Sequence, residues 1–432
     1  MFADDLTGAA DCAASSAALG CKAVVVLHSP ECAQSEAGWP NAGILSIDAN
    51  SRCLSPEQGA ELTTRLTHLC DLRNTDCPGY VLYKKIDSTL RGNIAGELAA
   101  LLRARRSIRP ANAKVSILMA PALPAQGRTT VGGRLLVHGV LLEETDIWQT
   151  EARAAESDIV KLLATAGLSC ELVGLDIVRS SLIFLRRAIL QSAKQVDIIV
   201  CDAETDGDLR AIAAASLGEP AITALVGSAG LASQIPQAIG IALDTESRAC
   251  EFAAGPTLFV VGTAASASQQ QARMLESIPE IATFHATPAV LHDSPSLHTQ
   301  IAQKLESGRD VLLMLDGGEH RSEYDGHFLS QALSHLASEC AQFLGALVAT
   351  GGETARAVLD AMGIHQLRLL GEIEAGLPLS VADCWERPLP VITKAGAFGS
   401  LRALICCREF LLELKRVPAG LQANNPLLNH KS

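Results

Sequence analysis

The sequence contains few aromatic residues and no excess of positive charge, and each shortage excludes a class of function. Phe, Trp and Tyr make up 3% of the 432 residues, so the aromatic platforms on which single-stranded nucleic acid stacks are scarce. The formal net charge of −12 removes any general attraction to phosphate backbones or anionic membranes. We therefore expect neither nucleic acid nor a membrane as a partner, and a phosphate group would have to be bound by local groups.

Several common motifs are also missing. The 13 cysteines are scattered without a CxxC pair or zinc-ligand spacing, which is typical of reduced thiols in a cytoplasmic protein. No apolar run is long enough to cross a bilayer, so we expect a soluble protein. The sequence has no GxxxxGK[ST], GxGxxG, HExxH or GxSxG motif, which argues against P-loop NTPases, Rossmann dehydrogenases, zincins and α/β-hydrolases. We predict no metal-ligating residues.

Short apolar runs that alternate with amphipathic segments are the main pattern present. This alternation predicts α/β architecture, with mostly parallel sheets flanked by helices. The strands predicted in the first half are Ala23–Leu27, Gly43–Ile47, Tyr80–Ile86, Val115–Ala120, Val196–Cys201 and Ile222–Val226. The helices predicted there include Pro56–Arg73, Asn93–Arg106, Glu151–Ala166 and Arg179–Lys194.

The alternation is interrupted once, by a polar, turn-rich segment between residues 239 and 256. It then resumes, which predicts two α/β domains, over residues 1–240 and 256–416, followed by a C-terminal tail over 417–432. The strands predicted in the second half are Leu258–Val261, Val311–Leu315, Phe343–Ala349, Leu367–Ile373 and Val391–Thr393. The helices predicted there are Ala267–Ser277, Leu297–Ser307, His327–Glu339, Thr354–Met362 and Ser400–Leu414.

Ligands of parallel α/β sheets bind beyond the carboxyl ends of the strands, so polar residues at strand-to-helix junctions are the candidates for function. The first such junction carries Asp4 and Asp5, followed by Thr7 and Gly8. Two adjacent carboxylates before a glycine suit a site that binds a hydroxyl or acts as a general base. The alternative is that one Asp only caps the helix that follows.

The second junction, residues 84–93, concentrates charge after an apolar strand. Its two lysines and one arginine suit the carboxylate of a small polyhydroxylated anion, while Asp87 suits one of its hydroxyls. Alternatively, Asp87 or Ser88 caps a helix and the lysines are solvated. A third segment, Gln126 to Gly133, is a polar, glycine-rich loop with one arginine, Arg128.

The second half contains three strand–glycine–helix junctions, at Gly262, Gly351 and Gly396. Glycine allows the backbone to approach a ligand, and a helix N-terminus presents unpaired N–H groups to an anion. Each turn alone is a weak signal, but three in one domain predict a phosphate-binding cradle.

These motifs resemble those of the four-carbon acid sugar kinase family, and they occur in the family's order over nearly the whole chain. They are Ala-Asp-Asp-Leu-Thr-Gly-Ala (3–9), Ser51-Arg52, Lys-Lys-Ile-Asp-Ser-Thr-Leu-Arg-Gly-Asn (84–93), Ala-Pro-Ala (120–122), Gly-Arg-Thr-Thr-Val-Gly-Gly (127–133), Cys-Asp-Ala-Glu-Thr-Asp (201–206), Gly-Ser-Ala-Gly-Leu-Ala (227–232) and Thr-Gly-Gly-Glu-Thr (350–354). The resemblance implies a sugar-acid-binding domain followed by a nucleotide-binding domain, with the active site in the cleft between them. It also implies transfer of phosphate from ATP, with Mg²⁺, to the terminal hydroxyl of D-threonate, D-erythronate or a 3-oxo-tetronate.

The resemblance assigns roles to individual positions. Asp87 and Asp5 are the candidate catalytic residues, and D-threonate is favoured because Leu6 stands where the oxo-tetronate members tend to have Phe. The predicted substrate-binding residues are Asp4, Asp5, Arg52, Lys84, Lys85, Asp87, Ser88 and Arg91. The predicted nucleotide-binding residues are Gly262, Thr263, Ser266, Gly351, Gly352, Glu353, Thr354 and Gly396. A homodimer is a further expectation.

The sequence departs from the family pattern in three places, and the first two favour one alternative, a sugar-acid-binding regulatory protein that has lost phosphoryl transfer. Only Met1 and Phe2 precede Ala3, which predicts a shortened first strand. The turn at Gly262 reads Gly-Thr-Ala-Ala-Ser where the family tends to have Gly-Ser-x-Ser, so a hydroxyl contact to phosphate would move to Thr263 or Ser266. Ala397 replaces a residue that is often Gly, a minor change.

Overall fold

The computed structural model describes residues 1–27, 42–73, 80–110, 113–145, 157–240, 252, 255–287, 295–315, 326–383 and 387–416. The chain forms two compact units, Met1–Cys12 with Ile47–Ile241 and Ala13–Ser46 with Ala242–Ser432. The predicted tail over 417–432 lies outside the described residues. Among the described helices, none is both long and apolar enough to span a membrane.

The first unit is built on a sheet in which every pair of neighbouring strands is parallel. In spatial order its strands are β3 (Ile44–Asp48, which enters the unit at Ile47), β1 (Phe2–Ala3), β4 (Tyr83–Lys85), β11 (Ile222–Gly227), β5 (Ser116–Ala120), β10 (Ile198–Cys201) and β9 (Cys170–Val173). The first strand is short, as predicted, and it lies inside the sheet between β3 and β4.

Helices connect these strands. They are α1 (Leu6–Ala18, which leaves the unit after Cys12), α2 (Pro56–Arg73), α3 (Ile94–Ser107), α4 (Ile159–Ala164), α5 (Leu175–Val178), α6 (Leu182–Ser192), α7 (Asp206–Ser216), α8 (Ala229–Ala232) and α9 (Ile235–Ile239). The helix predicted over Glu151–Ala166 is confirmed only over α4, since residues 146–156 lie outside the described part of the chain. The predicted Arg179–Lys194 helix is the shorter α6.

The glycine-rich segment around Arg128, predicted as a loop, is instead a small antiparallel sheet. Its strands are β6 (Arg128–Val131), β7 (Arg134–Val137) and β8 (Val140–Leu141). Gly132 and Gly133 form the turn between β6 and β7 with φ of 61° and 72°, the left-handed pair that a tight hairpin requires. Strands of two to four residues are too short to show a clear alternation of apolar and polar side chains.

The second unit combines a parallel and an antiparallel part. The parallel strands are, in spatial order, β13 (Ala282–Ala286), β14 (Val311–Leu315), β12 (Thr257–Val261), β15 (Ala346–Thr350) and β18 (Leu389–Lys394). The antiparallel part continues from β18 with β17 (Pro378–Ala382), β16 (Gln366–Glu372) and β2 (Ala23–Leu27). The strand predicted at Phe343–Ala349 begins later than expected, because Ala341–Phe343 forms a 3₁₀ turn.

The helices of this unit cover the sheet. They are α10 (Ser266–Glu276), α11 (Pro295–Glu306), α12 (Gly326–Glu339), α13 (Gly352–Ala361) and α14 (Ala403–Arg416). Fully buried side chains of the strands, such as Phe259, Val348 and Ile392, pack with Leu404 and Leu411 of α14 in one apolar core. The predicted α/β class, with mostly parallel sheets flanked by helices, is therefore confirmed.

Parallel register explains why distant motifs meet. Ala3 of β1 is the partner of Asp48 in β3 and of Lys85 in β4. The chain therefore leaves these neighbouring strands at one sheet edge. In the second unit, Thr350 is likewise the partner of Val261 and of Lys394, so the three glycine turns leave β12, β15 and β18 side by side.

Gly227, the last residue of β11, shows how closely these strand ends pack. A methyl group there would overlap the carbonyl oxygen of Ala120 and lie 2.8 Å from the Tyr83 hydroxyl. By contrast, a methyl group on Gly96, inside α3, would meet no atom within 4 Å. The two glycines therefore serve different purposes, since only Gly227 is required by a close approach.

We expect Gly227→Ala to lower the free energy of unfolding by about 1–3 kcal/mol, because backbone must move to admit the methyl group. Gly96→Ala is the matched control and should raise it by about 0.5–1 kcal/mol, because alanine is the better helix former. Denaturant unfolding followed by circular dichroism measures both. Unchanged stability of Gly227→Ala would contradict the packing described here.

Candidate functional site

Arg52 bridges the carboxylates that leave β1 and β4. Its Nε donates to Asp4 Oδ2 at 2.7 Å and its Nη2 donates to Asp5 Oδ1 at 2.9 Å. The same Nη2 lies 3.5 Å from Asp87 Oδ1. Burial opposes the charge of Arg52, but the three carboxylates outweigh it and raise the pKa well above its usual value. The predicted residues Asp4, Asp5, Arg52 and Asp87 thus form one cluster.

Asp87 is held in its ionised form. Arg91 donates from Nε to Asp87 Oδ2 at 2.9 Å and from Nη2 to Oδ1 at 2.7 Å, and the Thr89 amide donates to Oδ2 at 3.0 Å. Burial would raise the pKa of Asp87, but Arg91 and Arg52 outweigh it and hold the pKa well below its usual range. Burial would likewise raise the pKa of Asp4, but Arg52 and Lys85 outweigh it and lower the pKa.

Of the two candidate catalytic carboxylates, one caps a helix and the other does not. Asp5 Oδ1 accepts a hydrogen bond of 3.1 Å from the Gly8 amide, in the first turn of α1, as a capping carboxylate does. Asp87 does not cap α3, because that helix begins at Ile94 with Asn93 at its N-cap position. Asp5 therefore combines capping with its contact to Arg52, whereas Asp87 serves the charged cluster and its own turn.

The two adjacent lysines point in different directions, because successive residues of a strand face opposite sides of the sheet. Lys84 is 1% exposed, its Nζ lies 2.8 Å from Glu97 Oε2, and it stands over the Phe2 ring. Lys85 faces the aspartates: burial would lower its pKa, but Asp4 and Asp5 outweigh it and raise it. The structure thus brings Lys85 into the cluster and places Lys84 in a buried ion pair. Ser88 is buried next to Asp87 in the chain.

Two further charged residues approach the cluster although sequence reasoning did not select them. Asp11 is half-buried on α1, and burial raises its pKa to about 6. The charge of Lys85 lowers this pKa, and the charge of Asp5 raises it. Its spacing of four from Thr7 on a helix was the available signal. Arg128 is buried, and burial lowers its pKa, with Asp87 and Arg91 acting on it in opposite directions.

The second unit brings together five of the eight residues predicted to bind nucleotide. A methyl group on Gly262 would overlap the Thr354 side chain, and one on Gly396 would lie 2.6 Å from Thr263 Oγ1. Gly351 has φ of 91°, and a methyl group on it would lie 3.2 Å from Thr263 Cβ. The three turns therefore meet where glycine backbone packs against the side chains of Thr263 and Thr354, a closeness that a larger residue would disturb.

The remaining predicted nucleotide-binding residues lie at helix starts. Gly352 and Glu353 open α13, whose N-terminus favours an anion, and Ser266 is exposed as the first residue of α10. Thr263 Oγ1 accepts a hydrogen bond of 3.2 Å from the Ala265 amide, so a hydroxyl is present at the Gly262 turn. Within the described residues, no group of three or more His, Cys, Asp or Glu lies together as a metal site.

The two sets of residues differ in chemistry. The cluster of the first unit offers guanidinium, ammonium and carboxylate groups in one place, which suits a small molecule carrying both a carboxylate and hydroxyls. The turns of the second unit offer backbone amides and hydroxyls without side-chain bulk, which suits a polyphosphate.

Family models match both halves of the chain. Residues 1–235 match a sugar-binding N-terminal domain, and residues 258–404 match a nucleotide-binding C-terminal domain. The crystal structure of a Salmonella typhimurium LT2 protein has the same fold, with a TM-score of 0.77 at 20% identity over 95% of this chain and 98% of that one. A Haemophilus influenzae protein of family DUF1537 gives 0.70 at 20% identity, over 95% and 99% of the two chains.

Characterised relatives cover nearly the whole chain. The D-threonate kinase of Cupriavidus necator is 38% identical over 94% of this chain and 95% of its own length. The D-threonate kinase of Salmonella typhimurium is 31% identical, over 96% and 98%. The 3-oxo-tetronate kinase of Pseudomonas fluorescens is 27% identical, over 98% and 97%. With both domain models matched and the motifs of the two sites in place, the chain belongs to the four-carbon acid sugar kinase family.

Proposed function

We propose that this protein phosphorylates the terminal 4-hydroxyl of a four-carbon sugar acid with ATP, and that D-threonate is its substrate. The observation that carries the proposal is the cluster of buried Lys85 and Asp87 with the partly exposed Arg52 and Arg91 in a chain of net charge −12. An acidic protein that gathers cations in one place does so to bind an anion. The 38% identity to a D-threonate kinase supports the choice of substrate.

Lys85 and the arginines are the groups we assign to the substrate carboxylate. Lys85 stands with Asp4 and Asp5, whereas Lys84 is paired with Glu97, so Lys84 supports the sheet in this proposal. Asp4 and Asp5 hold Arg52 in place, and Ser88 offers a hydroxyl beside Asp87. Arg128 approaches the same charges from the hairpin and adds a cation to this end of the site.

The role we assign to Asp87 is orientation of the attacking hydroxyl. A carboxylate whose pKa is well below its usual range is a weak base, but it accepts a hydrogen bond from a hydroxyl readily. Phosphoryl transfer depends mainly on positioning and charge stabilisation, so an oriented hydroxyl is sufficient. Asp5 is the second candidate catalytic residue, and Asp11, with a pKa of about 6, is the carboxylate whose proton affinity best suits a base near neutral pH.

The nucleotide phosphates belong, in this proposal, to the turns around Gly262, Gly351 and Gly396 and to the start of α13. The close packing of glycines and threonines there supports this assignment, because phosphate oxygens need exposed amides and hydroxyls. Magnesium supplied with ATP would be held mostly by phosphate oxygens and water, and the exposed carboxylate of Glu353 fits as a protein ligand.

The alternative that the sequence left open, a sugar-acid-binding protein without transferase activity, gains no support from the structure. Its motives were a shortened first strand and an altered Gly262 turn. The short β1 lies between two parallel partners, and the Thr263 hydroxyl is present beside Gly396. We further propose a cytoplasmic location, which the scattered cysteines, without a CxxC pair, support. The homodimer stays a prediction, which analytical ultracentrifugation tests.

The proposed activity is tested by ADP release with a panel of substrates. We expect the highest kcat/KM with D-threonate, lower values with D-erythronate and a 3-oxo-tetronate, and none with threitol, because threitol lacks the carboxylate that the cations bind. Phosphate on the 4-hydroxyl of the product is checked by ³¹P–¹H NMR. Turnover of threitol equal to that of D-threonate would overturn the assignment of an acid substrate. If none of the sugar acids in the panel led to ADP release, the kinase activity would be overturned.

Asp87→Asn tests the orienting carboxylate. Asparagine keeps the shape but removes the charge, so we expect kcat to fall by roughly 10²-fold or more. The melting temperature should fall as well, because Arg52 and Arg91 lose a buried carboxylate partner, and far-UV circular dichroism establishes that the variant is folded. Asp197→Asn is the matched control, since Asp197 is also paired with an arginine, Arg106, but outside the cluster. Its kcat should stay within about twofold of the wild type. A near-normal kcat in Asp87→Asn would transfer the role to Asp5 or Asp11.

A further inference from the structure

Lys394 is a buried cation that neither the fold nor the proposed contacts with ATP explain. It is the last residue of β18, and its side chain is 0% exposed. Its Nζ donates to Ser268 Oγ at 2.8 Å, to Phe398 O at 3.0 Å and to Ala395 O at 3.1 Å, with Gly396 O at 3.5 Å. All of these partners are neutral oxygens, and three of them belong to the loop that follows β18.

The neighbouring helix α10 holds the same loop. Ser268 Oγ, which accepts from Lys394, donates in turn to Gly396 O at 2.7 Å. Gln271 Nε2 lies within hydrogen-bond distance of the carbonyl oxygens of Phe398, Gly399 and Ser400, at 3.2, 3.2 and 2.8 Å. Carbonyls along residues 395–400 are thus drawn toward Lys394 and α10. The loop conformation is set by side chains rather than by regular secondary structure.

The direction of these carbonyls determines the direction of the loop amides. In a trans peptide the C=O and the following N–H point to opposite sides. Carbonyls of Ala395 and Gly396 that turn to Lys394 therefore turn the N–H groups of Gly396 and Ala397 away from it. Gly396 is also the residue that meets Thr263 in the glycine cradle.

We propose that Lys394 is a positioning residue for the nucleotide: it binds the carbonyl oxygens of Ala395, Gly396 and Phe398, so that the amides of Gly396 and Ala397 face the phosphates of ATP. The inference rests on the proposed function, because it takes the Gly262, Gly351 and Gly396 turns as the phosphate site. Lys394 acts through the loop and does not contact the phosphate, since its ammonium group is fully buried and engaged.

Electrostatics agrees with this role. Burial lowers the pKa of Lys394 to about 8, and this effect outweighs those of Cys407 and Glu374, which raise the pKa. Its hydrogen bonds go to neutral oxygens, so its positive charge lies directly behind the loop without a bound carboxylate. Such a charge favours an anion on the opposite side of the loop.

The test compares Lys394→Met with Lys415→Met. Lys415 is a suitable control because it is a half-buried lysine of the same unit whose Nζ also donates to a carbonyl, Gly255 O, at 2.6 Å. That contact lies next to Thr257, at the opposite end of β12 from Gly262. Both variants remove one ammonium group, and only Lys394→Met releases the cradle loop.

We expect Lys394→Met to raise the Kd of a non-hydrolysable ATP analogue, measured by calorimetry, by about 10- to 100-fold. The KM for ATP should rise in parallel, while the KM for D-threonate stays within about twofold. Lys415→Met should leave all three constants within about twofold of the wild type. Far-UV circular dichroism and melting temperature establish that each variant is folded.

Ser268→Ala keeps the inference testable if Lys394→Met does not fold. It removes the hydroxyl that links Lys394 to Gly396 O, and we expect the Kd of the analogue to rise by about three- to tenfold. An unchanged Kd in folded Lys394→Met, or an equal rise in Lys415→Met, would overturn the positioning role. Absence of ATP binding to the wild type would instead overturn the proposed function, so the two failures are distinguishable.

Discussion

The parallel register of neighbouring strands is the constraint on which both candidate sites depend. Because Ala3 is the partner of both Asp48 and Lys85, three segments far apart in the chain leave the first sheet from three adjacent strands. The same arrangement at Thr350 gathers three turns in the second unit. Each site lies where parallel strands end, as ligand sites of α/β sheets do.

The first site is a problem of buried charge, and its residues solve it by mutual compensation. Asp4, Asp5 and Asp87 would be costly to bury as carboxylates without cations, and Arg52 touches all three. The planar guanidinium suits this role better than an ammonium group, because it has several donors in fixed directions. The same compensation keeps Asp87 ionised, which favours its use in orienting a hydroxyl over its use as a strong base.

The second site follows the opposite principle, because what it needs is the absence of side chains. Gly262 and Gly396 lie against Thr354 and Thr263, so that any larger residue would close the space between the turns. A loop of small residues does not by itself fix the direction in which its amide groups point. Here Lys394, Ser268 and Gln271 fix that direction by binding loop carbonyls. A site made of amides therefore depends on polar side chains behind it.

The sequence by itself determined the α/β class, the positions of most strands and the motifs at their ends, because apolar periodicity and turn residues are local properties. Strand Ala23–Leu27 has the predicted bounds, and Asp87 and Arg91 lie just after a buried strand as expected, whereas Lys84 and Lys85 belong to that strand. Only the tertiary structure decided which neighbour each polar group has. Lys84 and Lys85 are equivalent in sequence, but alternation on β4 pairs one with Glu97 and the other with the aspartates. The charges that act on Arg128, those of Asp87 and Arg91, belong to another segment, so the sequence showed Arg128 only as the arginine of a glycine-rich loop. Lys394 binds carbonyls of the residues that follow it, but its link to Ser268, 126 residues away, leaves no local pattern.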